Sequence, residues 1–394
     1  MKVMRRSRRL ARLAAMLVVG MAGLVVAASA PARAGIVFQS HVVASWGFND
    51  EGDLGDGTTT DRSLYGDIKL ANDVTQVAAG YYFGLALRSD GTVWAWGDNG
   101  SGQLGDGTTT DRSTPGRVLG PDGVVTQVAA GAMSLALLSD GTVWEWGAGW
   151  LMPVPVPGLT GVTKISAGST LNLALRSDGT VWAWGQNDHG QLGNGTTVPT
   201  MTPVKVTGLS HVTGIAAGFN AAVATATSGI SAVTSVWTWG ANDHGQLGDG
   251  TLADHLTPER ITGIGTVYLA GVTAGLWTGA VLGTDGSVWG WGDNSAGQLV
   301  RTPSSSPVTR PVGMFAAGSG ITQLSAGHGH MLALKSNGTV LAWGSNQGGQ
   351  LGIGSKAPVT GPVQVTGLTA ATQVAAGGRA FSLAIHTVPY LLGL

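Results

Sequence analysis

Residues 74–107 read V-T-Q-V-A-A-G-Y-Y-F-G-L-A-L-R-S-D-G-T-V-W-A-W-G-D-N-G-S-G-Q-L-G-D-G. Apolar side chains alternate through V-T-Q-V-A-A, L-A-L and V-W-A-W, a period of two that specifies strands. Asp90-Gly91 sits between the second and third runs and predicts a type I′ hairpin. An arm, G-Q-L-G-D-G, follows Trp-Gly. In most copies a Pro-containing stretch comes next, such as Thr202–Val206. Such a stretch suits an edge strand, where a missing N–H is tolerated. One unit thus holds four short antiparallel strands, which is a propeller blade.

The same pattern recurs along the chain. Trp-Gly begins at Trp46, Trp96, Trp146, Trp184, Trp239, Trp291 and Trp343. A-A-G or a close variant ends at Gly80, Gly131, Gly168, Gly218, Gly275, Gly327 and Gly377. The first Trp-Gly precedes any A-A-G, and the last A-A-G has no Trp-Gly after it. The strands begun by Val374–Ile385 are therefore completed by Ile36–Gly47. The fold expected is all-β: a seven-bladed propeller of about 50-residue repeats, closed by pairing the N-terminal strand with the C-terminal blade, which removes exposed sheet edges. In V-W-x-W-G the two indoles share one strand face, so these tryptophans are expected to pack between blades.

Composition narrows the function. The chain has 394 residues, 65 Gly, 14 Trp and no Cys, which excludes a disulfide scaffold, a thiolate metal site and a Cys nucleophile. Residues 1–34 carry seven basic groups and no acid. A basic segment to Arg12, an uncharged run Leu13–Ala28 and the site Ala32-Arg33-Ala34 read as an export signal cleaved after Ala34. The propeller is expected over 35–388, with an apolar tail at 389–394. The exported body carries 14 basic against 22 acidic side chains, a net of −8. That balance argues against nucleic acid as a partner. The expected location is secreted or cell-envelope, with the membrane met only through the signal segment.

Catalytic chemistry finds little support. Three Glu exist, Glu51, Glu145 and Glu259, and no nucleophile elbow, phosphate loop or H-E-x-x-H is present. His328 and His330 lie close together but lack a third metal ligand. Asn49–Gly57 is acidic and Gly-rich, as calcium loops are, yet it occupies the place of an arm and is read as a structural turn. No enzyme activity, cofactor or metal is expected.

The motif A-A-G…L-A-L-x-S-D-G-x-V-W-x-W-G-x-N-x-x-G-Q-L-G-x-G, nearly intact at 78–107, 166–195 and 325–354, resembles the regulator of chromosome condensation repeat family. The resemblance covers nearly all of 36–386. It implies a seven-bladed propeller. The family's eukaryotic founder is an exchange factor for a small GTPase and binds chromatin, and secreted bacterial members also exist. Among the latter, the β-lactamase-inhibiting propeller of actinomycetes is architecturally similar and is thought to bind through its A-A-G-side turns. Departures are local. His precedes L-A-L clearly at His330 alone. The Trp146 unit lacks the arm and runs into Trp150-Leu151-Met152-Pro153. The Trp239 unit has a longer hairpin at Thr225–Val236, and the arm at 297–299 continues as Val300-Arg301.

Strand order puts the A-A-G and Trp-Gly turns on one face and the S-D-G turns on the other. Eight aromatics outside the packing motifs fall at the first set: Phe48, Tyr81, Tyr82, Phe83, Trp150, Phe219, Trp277 and Phe381. About half are expected to tuck between blades. Partner contacts are assigned to Tyr81, Tyr82, Trp150, Phe219, Trp277 and Phe381, with Arg379, His328 and Asp188 as polar groups. Tyr82, Trp150 and Trp277 are the rings most expected in solvent. Aromatics gathered on one face suit a protein hot spot. The function expected is a secreted, non-enzymatic binder of another extracellular protein. An inhibitor of an enzyme such as β-lactamase and a cell-wall glycan binder are the alternatives, and exchange-factor or chromatin-binding activity ranks below them.

Overall fold

The structure, a computed structural model, describes residues 37–391 apart from 71, 72, 228–233, 266 and 360. The expected export signal at 1–34 lies outside the described residues. Those residues form seven four-stranded antiparallel sheets arranged as a propeller, with no helix among them. Blades are numbered here by their Trp-Gly, from Trp46 (blade 1) to Trp343 (blade 7). Blade 2 is the simplest: Val74–Ala79, Phe83–Arg88, Val93–Gly97 and Arg112–Arg117, in that order from the axis outward.

Blade 1 joins the two ends of the ring. Its order is Ala371–Ala376, Phe381–Leu391, Val37–Gly47, Arg62–Asp67. The second of the C-terminal strands runs to Leu391 and so takes in the first residues of the stretch 389–394; residues 392–394 lie outside the described residues.

Two further features explain the repeat. The A-A-G glycines surround the axis, where neighbouring inner turns nearly touch. A Cβ on Gly131 would stand 2.0 Å from the carbonyl oxygen of Gly168, and one on Gly168 2.1 Å from that of Gly218. Only a residue without a Cβ fits. Backbone bonds cross the same gaps, Tyr81 N–H to Gly131 O and Ala132 N–H to Gly168 O. Farther out, the Gln of V-T-Q-V reaches the next blade. Gln76 Nε2 donates to Val128 O, and its Oε1 accepts from Val128 N–H. Gln127 does the same with Ile165, and Gln373 with Val77.

The S-D-G turns differ from the expected type I′ geometry. Gly91 N–H donates to Arg88 O, closing a turn whose central residues, Ser89 and Asp90, keep negative φ, and Gly91 alone is left-handed at φ 81°. The loop has three residues rather than two. The Asp90 carboxylate fixes it by accepting from the N–H and hydroxyl of Thr92, so aspartate serves here as a side-chain acceptor rather than as a residue tolerant of positive φ.

The tryptophan of Trp-Gly is fully buried in all seven blades. In six of them its indole N–H donates across the seam to the arm of the preceding blade. Trp146 bonds Gln103 O, Trp239 bonds Gln191 O, Trp291 bonds Gln246 O, Trp343 bonds Gln298 O and Trp46 bonds Gln350 O, each at 2.8 or 2.9 Å. Trp96 bonds Asp53 O at 2.9 Å in the same way. Each arm is organised by one asparagine. Asn99 Nδ2 donates to Thr108 O and Thr110 O, while its Oδ1 accepts from Leu104 N–H. Leu104 is thereby driven into the seam against Val118 and Trp146. Asn49 closes 49–60 by the same bonds, and Asp56 is taken up by Thr58 and Arg62. The acidic loop is an arm.

Candidate protein-binding face

In six blades the residue after Trp-Gly donates its N–H to a carbonyl just beyond the A-A-G motif, two positions on in five of them and three in blade 1. Examples are Asp98 to Tyr82 O, Asp293 to Trp277 O and Phe48 to Ala380 O. Both turn sets therefore share one face. Across blades 5, 6, 7, 1 and 2 this face carries a continuous belt of rings. His244 stacks on Trp277 at 4.0 Å between centroids, with the planes 14° apart. Trp277 meets His328 edge-on at 5.9 Å. His328 lies 6.2 Å from Tyr81, and Tyr81 is T-shaped on Tyr82 at 4.8 Å. Arg379 ends the belt, its guanidinium over Tyr82 at 5.2 Å and over Phe48 at 4.8 Å, while Nη1 donates to Tyr82 Oη at 3.0 Å.

A groove of about 500 Å³ opens beside the belt, between blades 6, 7 and 1. Phe48, Trp277, His328 and Arg379 line it together with arm side chains, among them Asp293 and Gln347. Asp293 is 8% exposed and its carboxylate is occupied, accepting from Gln298 Nε2 and from the N–H and hydroxyl of Ser295. Burial, and then the Arg379 charge, hold the His328 imidazole below its usual pKa. At neutral pH it is an uncharged donor and acceptor.

Five of the expected contact residues thus come together: Tyr81, Tyr82, Trp277, His328 and Arg379. Tyr82 and Trp277 are half-buried rather than exposed, because each lies against another ring. Phe219 is half-buried and lines the narrow axial depression with Tyr81 and His328. Trp150 is 50% exposed but begins the outermost strand of blade 3, Trp150–Pro155, at the rim. Asp188 is exposed on the arm of blade 4. Phe381 is a correction. It is fully buried, and its ring occupies the space beside Gly377, as the ring of Phe83 does beside Gly80. At that position a large apolar side chain fills the inner seam and cannot meet a partner. His330 is buried as well. Its Nε2 faces Ser382 Oγ, and burial pushes its pKa down to about 3, so it shares no site with His328.

Sequence reasoning missed His244 and underrated Phe48. His244 lies in an arm, D-H-G-Q-L, where it reads as a polar loop residue. Its stacking on Trp277 follows from the arm crossing to the next blade, and arms carry no strand periodicity to reveal their path.

The profile of the RCC1-like domain matches residues 150–392, and regulator of chromosome condensation (RCC1) repeats match at 42–87, 74–103 and 90–138. The ultraviolet-B receptor UVR8 of Arabidopsis thaliana is 32% identical over 169 residues, 42% of this chain and 37% of that protein. The probable E3 ubiquitin-protein ligase HERC6 of Homo sapiens is 35% identical over 137 residues, 34% of this chain. The matched stretch spans 13% of HERC6, so both relatives extend well beyond it. In fold, Prp20p of Saccharomyces cerevisiae superposes with a TM-score of 0.79 at 24% identity, covering 90% of this chain and 92% of Prp20p. Human WBSCR16 gives 0.78 at 23%, covering 88% and 99%. The architecture is a protein-interaction fold, and the chain belongs to the RCC1-like domain family.

Proposed function

We propose that this chain is a non-enzymatic protein-binding propeller, exported from the cell, that holds a partner protein against its A-A-G and Trp-Gly face. One observation carries the reading: the unbroken belt from His244 to Phe48, with a groove at its side. Aromatic and arginine side chains that are already packed lose little freedom on binding and make strong anchors. A ring of seven blades, closed by pairing the two ends of the chain in blade 1, offers them a rigid mount. The basic, then apolar, start of the chain supports export, and the acidic body supports a protein rather than a polyanion as partner. Inhibition of an extracellular enzyme such as a β-lactamase is one specific form of this activity.

The test immobilises residues 35–394 and exposes them to secreted and envelope extract, beside a Tyr82→Ala/Trp277→Ala variant. A single protein retained by the wild type, lost with the variant and bound again after purification supports the reading. Equal retention by both places the working surface elsewhere. Retention on insoluble wall glycan, reversed by free sugar, replaces a protein partner with a glycan.

A further inference from the structure

We propose that the groove between blades 6, 7 and 1 accepts a carboxylate side chain of the partner, with Arg379 as its anchor; this rests on the protein-binding reading above. Arg379 is exposed, and among the described residues its guanidinium has no carboxylate in ion-pair range. It is nevertheless held in place. Phe48 lies on it at 4.8 Å, Tyr82 at 5.2 Å, and the Tyr82 phenol takes one N–H at 3.0 Å. A guanidinium has five donors in a planar fork, and one is used here. The rings fix the plane of the fork, so the ordering cost that weakens most surface ion pairs is met before a ligand arrives.

The other groups in the groove do not compete. Asp293 has its oxygens filled by Gln298 and Ser295, and the neutral imidazole of His328 offers hydrogen bonds without charge. Trp277, backed by His244, supplies an apolar wall across the groove. The fitting occupant is a peptide segment with an Asp or Glu beside an apolar or aromatic residue. The carboxylate would meet the fork in the bidentate manner that arginine favours, and the apolar neighbour would lie on Trp277.

The experiment pans a phage library of random dodecapeptides over the full chain and, separately, over Arg379→Gln. Arg379 is a surface residue, so the variant keeps the fold, which a thermal melt checks. Expected is enrichment of Asp and Glu next to an aromatic on the wild type, absent on Arg379→Gln. Synthetic copies of the selected peptides should lose about tenfold in affinity when the acid becomes its amide. Arg379→Lys should recover only part of the binding, because an ammonium lacks the fork. Selected peptides without acidic bias, or bound equally by Arg379→Gln, overturn the anchor and leave the binding face standing. No enriched peptide at all overturns the protein-binding reading and the anchor with it.

Discussion

The seam between blades 2 and 3 and the seam between blades 3 and 4 start from the same buried tryptophan and are closed differently. At the first, an arm crosses from blade 2. Gln103 O caps the Trp146 indole, Leu104 fills the interior, and Gly107 N–H donates to Leu151 O on the outer strand. At the second, no arm exists. Gly147 passes through a tight turn, Ala148 at φ 50° and Gly149 at φ 101°, straight into the outer strand. The carboxylate of Glu145 takes over instead, accepting from Trp184 Nε1 at 2.7 Å while itself buried. Asn172 stands opposite Trp184 where other blades have Gly84, Ser134, Ala222 or Gly279, and its Nδ2 lies 3.8 Å from Met133 Sδ. The difference teaches that the seam can spare the arm but not the acceptor. A buried indole N–H left without a partner costs about 1–3 kcal/mol, and a side chain from the blade itself supplies one.

Truncating the indole should do the greatest damage at both seams. Trp146→Ala and Trp184→Ala should each lower stability by about 3–5 kcal/mol, measured by chemical unfolding. A much smaller loss for Trp184 would mean that the arm-less seam is loosely packed.

Asp53 gives the next effect, in the seam between blades 1 and 2. It stands where the other arms have Gln, is almost wholly buried, and its Oδ1 has no hydrogen-bond partner among the described residues. Burial, with Glu51 and Asp98 adding to it, pushes its pKa up to about 7. The folded protein therefore binds this proton more tightly than the unfolded chain does. Stability falls as pH rises from about 4 through 7, since the unfolded state releases the proton first. Asp53→Asn should remove that slope and raise stability above pH 7, by an amount on the order of 2–4 kcal/mol at about 1.4 kcal/mol per pKa unit. Unfolding curves at pH 5 and pH 8 check it; parallel losses in both proteins would show that Asp53 does not control the slope.

Glu145→Ala should cost about 1–3 kcal/mol, because it orphans the Trp184 indole. Gln103→Ala keeps the main-chain acceptor for Trp146 and should cost less, near 1 kcal/mol, from the lost side-chain bonds to Asp98 and Ser101. Reversal of that order would refute the equivalence of carboxylate and arm. Glu145→Gln retains an oxygen acceptor and should shift stability least. Burial raises the Glu145 pKa, so the wild type should lose stability as pH climbs from 4.5 through that raised value, and the Gln variant should not.

Much of this was legible in residues 74–107. Seven copies of a period-two pattern fixed the blades, and the offset between the first Trp-Gly and the last A-A-G foretold the closure at blade 1. The common face of two turn sets followed from strand order alone. The arms were less legible. Their course is set by Asn side chains bonding to main chain nine and eleven residues on, as Asn99 does, and no alternation of side chains records that. Glu145 read as an ordinary strand residue because its role depends on an absence in the neighbouring loop. Phe48 and Phe381 carry the same side chain at turns of one blade, and only their depth separates a groove wall from a core ring.

The clasp in blade 1 also decides how the ring responds to force. Phe48 N–H bonds Ala380 O at one end of the pair formed by Val37–Gly47 and Phe381–Leu391, so the N-terminal strand begins where the C-terminal strand stops. Tension applied through the two ends pulls this pair apart like a zipper, one backbone bond after another, instead of shearing all of them together. The ring should therefore yield first, and at low load, at its clasp, while the six blades made from continuous chain stay folded.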